Sequence, residues 1–129
     1  MELLGVWKIK EMLLADENGT RSVERADLEA MARESEDEDL GRLLRSEFVV
    51  SETSMNTYYM PLEEEMPLVE EEGWEITERG VLLDSYPARI ENGTLMLDYD
   101  RNGEEYLPVP QNDEGGLIIS DGMVVLQKI

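Results

Sequence analysis

Apolar and polar residues alternate with a period of two through much of the chain. Over residues 94–100, Leu95, Leu97 and Tyr99 fall on one face, while Thr94, Met96, Asp98 and Asp100 fall on the other. In the opening segment Leu3, Gly5, Trp7 and Ile9 share one face, with Lys8 and Lys10 opposite. Alternation and β-forming residues predict strands over residues 3–14, 46–51, 55–60, 74–78, 81–86, 88–91, 94–100, 105–109, 117–120 and 123–129. Four pairs between or beside them, Asn18-Gly19, Asn92-Gly93, Asn102-Gly103 and Asp121-Gly122, offer the positive φ that tight hairpins need.

The period changes to a helical one between residues 22 and 45. Ser22 is placed to cap a first helix with Leu28, Met31 and Ala32 as its apolar stripe. Ser35-Glu36-Asp37-Glu38 has capping-box spacing before Leu40, Leu43 and Leu44. A further short helix is predicted over residues 67–72, with Pro67 at its start and Gly73 just past its end. Strand following strand at this spacing predicts an all-β fold, an antiparallel sandwich or barrel. The helical insert is expected between the first and second strands. No linker or internal repeat divides residues 1–129, so one domain is expected.

Composition narrows the chemistry. There is no cysteine and no histidine, which removes disulfides, thiolate zinc sites, cysteine nucleophiles and the commonest general base. Eleven Lys and Arg stand against 31 Asp and Glu, a net charge of −20. Such a chain is repelled by phosphate backbones and anionic membrane surfaces, so no nucleic-acid partner is expected. Acidic runs such as Glu63-Glu64-Glu65 lack the spacing and glycine of a calcium loop and are read as solvated surface, with no metal expected. No basic region precedes a long apolar stretch, and no apolar run approaches the roughly 18 residues of a membrane span. The expectation is a soluble, cytoplasmic monomer without membrane insertion or cofactor.

Leu4-Gly5-Val6-Trp7-Lys8-Ile9 resembles the Gly-x-Trp first strand of lipocalins and fatty-acid-binding proteins, the calycin superfamily. More narrowly, the chain is similar to small bacterial lipocalin-like domains. The resemblance extends through the charged helical segment, Leu83-Asp84-Ser85-Tyr86-Pro87, Asn92-Gly93-Thr94-Leu95 and an apolar last strand with a penultimate basic residue. It implies an antiparallel up-and-down β-barrel of about 8–10 strands, in which Gly5 lets the first strand bend, Trp7 plugs the barrel floor and Lys128 lies over the indole. The family more often has Arg in that last place, which stacks better than Lys.

A barrel of about eight strands has an interior that side chains just fill or that one small ligand occupies. The chain has 8 Met and 5 Tyr, suited to an adaptable apolar wall with a few hydroxyls. Tyr58, Met60, Trp74, Tyr86, Leu97 and Tyr99 are the wall candidates. Two functions stay open: binding of a small hydrophobic molecule inside the barrel, or an interaction module with a filled core whose acidic surface meets a basic protein. Arg89 is the main arginine on a predicted strand, so a fatty-acid carboxylate finds little to hold it, and a neutral or cationic apolar molecule fits better. No nucleophile elbow, phosphate loop or metal-ligand spacing occurs, and no catalytic residue is assigned.

Overall fold

A computed structural model describes residues 3–119 and 122–129. The chain is mostly antiparallel β, a strongly curled, barrel-like sheet with three short helices. In order it runs β1 (Gly5–Asp16), β2 (Gly19–Glu24), α1 (Arg25–Glu34), α2 (Glu38–Leu44), β3 (Ser46–Val50) and β4 (Ser54–Tyr59). A 3-10 turn (Glu63–Glu65), α3 (Met66–Glu72), β5 (Ile76–Thr77) and β6 (Gly80–Glu91) follow. The chain finishes with β7 (Thr94–Leu97), β8 (Leu107–Pro108), β9 (Leu117–Ile119) and β10 (Val124–Lys128).

The sheet order is β8-β7-β6-β4-β3-β1-β10-β9, with β2 on β1 and β5 on β6. First and last strands therefore lie side by side, one strand in from the β9 end of the order. Trp7 is opposite Lys128, Ile9 opposite Leu126 and Met12 opposite Val124. The other edge of β1 is shared: Gly5, Val6 and Trp7 pair with β3, and residues 11–16 pair with β2. At the two ends of the order, the segment after β8 meets β9. Ile118 N donates to Pro110 O at 2.9 Å, and Gln111 forms an isolated bridge with Leu117.

The helical segment follows the β1–β2 hairpin, so it lies between β2 and β3 and not directly after the first strand. Ser22 belongs to β2, and its hydroxyl donates to the Glu11 carboxylate at 2.8 Å. The hairpin's own pairing claims Ser22 before a helix can start, and α1 begins at Arg25 instead. The cap of α2 is Asp37, whose side chain accepts from Leu40 N at 3.1 Å. Ser35 instead closes the end of α1 by donating to Met31 O. α3 carries Pro67 in its first turn and ends on Gly73, whose φ of +70° is the left-handed conformation glycine adopts without cost.

Both insert helices dock through apolar side chains. Leu28 and Leu44 are buried in the main core, and Met31, Ala32, Leu40 and Leu43 pack against it. Arg25 fixes the arrangement from within. Its Nη1 donates to Ile9 O at 2.9 Å, its Nη2 to Leu44 O, and its Nε to Glu29 Oε1 at 3.0 Å.

Strand lengths differ from the alternation pattern in four places, one of them the strand expected over 105–109, which shrinks to Leu107–Pro108. The two segments predicted over 81–86 and 88–91 form one strand, β6, passing through Pro87. That works because β6 changes partners there, from β4 up to Pro87 to β7 from Ala88 onward. The strand expected over 74–78 shrinks to Ile76–Thr77. β7 stops at Leu97 because Asp98 turns inward and ties the next loop: its carbonyl accepts from Arg101 N at 3.3 Å and its Oδ2 from Gly103 N at 2.5 Å. The expected Asp121-Gly122 turn and the end of the 117–120 strand fall on Ser120 and Asp121, which lie outside the described residues.

The core holds Trp7, Ile9, Leu28, Leu95, Leu97, Leu117 and Leu126, all almost fully shielded from water. A small satellite core beneath α3 joins Tyr59, Val69 and Val81, with Trp74 packed on its side.

Candidate functional site

Strand alternation decides which side chains reach the interior. Along β3 Ser46, Phe48 and Val50 are buried. Their antiparallel partners on β4, Tyr59, Thr57 and Met55, point the same way. Across β4, Met55 and Thr57 are opposite Tyr86 and Asp84 of β6. Phe48, Met55, Thr57 and Tyr86 thus share one concave surface, to which Leu97 of β7 and Ile119 of β9 add.

These residues line an open-mouthed cavity of about 890 Å³. Among the described residues its lining is Phe48, Met55, Thr57, Tyr86, Leu97, Tyr99, Leu107, Pro108, Pro110, Ile118, Ile119 and Gly122, none of them charged. The size lies within the roughly 300–1,000 Å³ common for small-molecule pockets. A wall of aromatic, aliphatic and Met side chains favours apolar occupants, because each buried CH₂ contributes about 0.8 kcal/mol.

The polar features collect at one rim. The Tyr86 and Tyr99 rings meet edge-on, with centroids 5.6 Å apart and planes at 62°. The Arg101 guanidinium lies 4.3 Å from the Tyr86 centroid, contacts the Asp84 carboxylate, and donates through Nε to Ser85 O at 2.8 Å. The Tyr86 phenol is held above its ordinary pKa, chiefly by its hydrogen bond to Asp84, with burial and the Asp84 charge adding to this and Arg101 opposing it. At neutral pH the phenol is therefore an uncharged hydrogen-bonding group.

Of the six wall candidates, Tyr86, Leu97 and Tyr99 stand on this cavity. Tyr58, Met60 and Trp74 stand elsewhere. Tyr58 is on the outer face, where its hydroxyl accepts from Asn56 Nδ2 at 3.1 Å and Asn56 Oδ1 accepts from Ser85. Met60 is 54% exposed. Both border an outer depression with Lys8, Arg45, Glu47, Glu78 and Arg79. Trp74 packs on the satellite core. β4 alternates without interruption, with Met55, Thr57 and Tyr59 on one face and Tyr58 on the other. Thr57, not its aromatic neighbour, reaches the cavity.

The sequence reading also missed Phe48, Ile118, Ile119, Leu107 and the prolines 108 and 110. Phe48 was detectable from alternation within Ser46–Val50. The others sit in short or irregular segments without a period. Asp98 was assigned to a polar face but is fully buried, because it organises the loop that presents Tyr99 and Arg101. The insert helices are absent from the described lining and act as cover for the core.

Gly5, Trp7 and Lys128 lie together at the start of β1. Gly5 has φ +135°, and a Cβ there would stand 3.0 Å from Lys128 Cε. Trp7 is buried, and its indole N–H donates to Leu3 O at 2.9 Å. Trp7 and Lys128 also border a depression of about 400 Å³ with Lys10, Asn112, Glu114 and Gln127. Lys10 pairs with Glu114 there, which raises the lysine and lowers the carboxyl.

No group of three or more metal-ligating side chains occurs among the described residues, nor does any helix there have the length and apolarity to cross a membrane. The chain matches no family model, no curated protein and no solved structure.

Proposed function

We propose that this chain is a non-enzymatic binder of a small hydrophobic molecule, held inside a closed, calycin-like barrel. The observation that carries the proposal is the cavity of about 890 Å³ between Phe48, Met55, Tyr86, Leu97 and Ile119. A core filled by its own side chains leaves few voids larger than a water molecule. Space on this scale, walled by apolar groups with phenols at the rim, suits an apolar body with one polar end.

Barrel closure is supported by the bonds from Pro110 and Gln111 to β9. Calycin kinship rests on the order of elements and on Gly5, Trp7 and Lys128 meeting where the first and last strands pair.

Native mass spectrometry tests the proposal. The expected spectrum shows a co-purified small molecule or, after incubation with decanol, a saturable one-to-one complex. A bare mass with no saturable uptake of decanol overturns it and leaves the rival function, an interaction module meeting a basic protein through its acidic surface.

A further inference from the structure

We infer that the ligand carries a positive charge, an ammonium or guanidinium at one end of an apolar body, and that Arg101 occupies the site of that charge in the ligand-free protein. The inference rests on the proposed cavity binding and names its ligand class.

The rim corner has the components of a cation site. Tyr86 and Tyr99 present aromatic rings in edge contact, and Asp84 supplies a carboxylate on the same face of β6 as Tyr86. Aromatic faces attract cations through the ring quadrupole, and a partly desolvated carboxylate adds direct Coulomb attraction. A cation already fills the corner. The Arg101 guanidinium lies 4.3 Å from the Tyr86 centroid and pairs with Asp84.

That cation arrives from outside the sheet. Arg101 belongs to the loop after β7 and has φ +57°, a conformation uncommon for a residue with a side chain. The loop is tied by Asp98 through Arg101 N and Gly103 N, so Arg101 is held at the rim by its backbone as well as its side chain. Its side chain is about half exposed, which lets an incoming cation compete for the corner.

The remaining walls agree with this charge. Among the described residues the cavity lining itself carries no charged side chain, and the rim cation Arg101 is already paired with Asp84. The net charge of −20 concentrates cations near the surface and disfavours anions.

The test compares three amphiphiles of equal chain length, decyltrimethylammonium, decanol and decanoate, each titrated calorimetrically below its micelle concentration. The ammonium should bind at least about tenfold tighter than decanol, and decanoate weakest. Asp84→Asn should weaken the ammonium about tenfold and leave decanol within about twofold. Arg101→Gln should tighten the ammonium by removing its competitor. Arg33→Gln, the same charge change on exposed α1, should leave it within about twofold and so control for net charge.

Equal binding of all three, or indifference of the ammonium to Asp84→Asn, overturns the charge assignment while the apolar cavity stands. Absence of saturable binding by any of the three overturns the cavity reading together with it.

Discussion

Trp7 and Lys128 face each other across the β1–β10 pair, on the same side of the sheet, with the lysine stem crossing the bare Cα of Gly5. The first and last strands are thus joined by one buried indole and one exposed cation. Their contributions are unequal. A tryptophan buries roughly 200 Å², worth on the order of 5 kcal/mol at about 25 cal/mol per Å², whereas an exposed lysine beside an indole contributes no more than about 1 kcal/mol.

Trp7→Ala should therefore cost about 3–5 kcal/mol in urea unfolding, and Lys128→Met no more than about 1 kcal/mol. A Trp7→Ala cost below about 1 kcal/mol contradicts the floor role.

Gly5→Ala tests the same contact from the other side. The new Cβ meets Lys128 Cε at 3.0 Å and must adopt φ +135°. The expected loss is about 1–3 kcal/mol, largely from backbone strain. If the strain dominates, adding Lys128→Ala recovers little of it. Full recovery in the double variant assigns the cost to the side-chain clash instead.

Asp37 caps α2 through Leu40 N. Asp37→Ala should lower stability by about 1 kcal/mol, visible as a lower thermal midpoint, while Ser35→Ala acts on the end of α1. An unchanged midpoint for Asp37→Ala removes the cap.

Tyr86 gives the fold a pH dependence. Its folded pKa is raised, first by the Asp84 hydrogen bond, so its contribution is complete below the unfolded value of about 10 and declines as pH rises through the folded value. Tyrosinate absorbance should show one phenol titrating later than in the unfolded chain. Asp84→Asn should move that step down, and Tyr86→Phe should abolish it. A late step that survives Tyr86→Phe belongs to another tyrosine.

The sequence carried the architecture further than the site. Periods of two and tight-turn pairs are local signals, and they located β1, β3, β4 and β10 closely. The end of α3 was legible because Gly73 answers a backbone requirement. Ser22 was misread because capping chemistry and strand pairing use the same residue type, and the long-range pairing prevailed. Tyr58 was misassigned for a related reason. Side-chain size predicts burial, but β4 keeps a strict alternation in which Met55, Thr57 and Tyr59 share the inner face, and that leaves Tyr58 outside. Asp98 shows the limit most plainly. Its burial follows from a loop only three-dimensional structure reveals, and nothing in its neighbours marks it as an interior residue.

The central claim, a hollow apolar interior, is tested most directly by fluorescence titration with the neutral dye N-phenylnaphthylamine. Thr57 sits on the cavity wall, so Thr57→Trp places an indole in the space without adding charge. The account predicts saturable, one-to-one enhancement for the unmodified protein and a loss of affinity of at least about tenfold in Thr57→Trp, with far-ultraviolet circular dichroism unchanged. Equal affinity in both proteins, or no saturable enhancement in either, contradicts it.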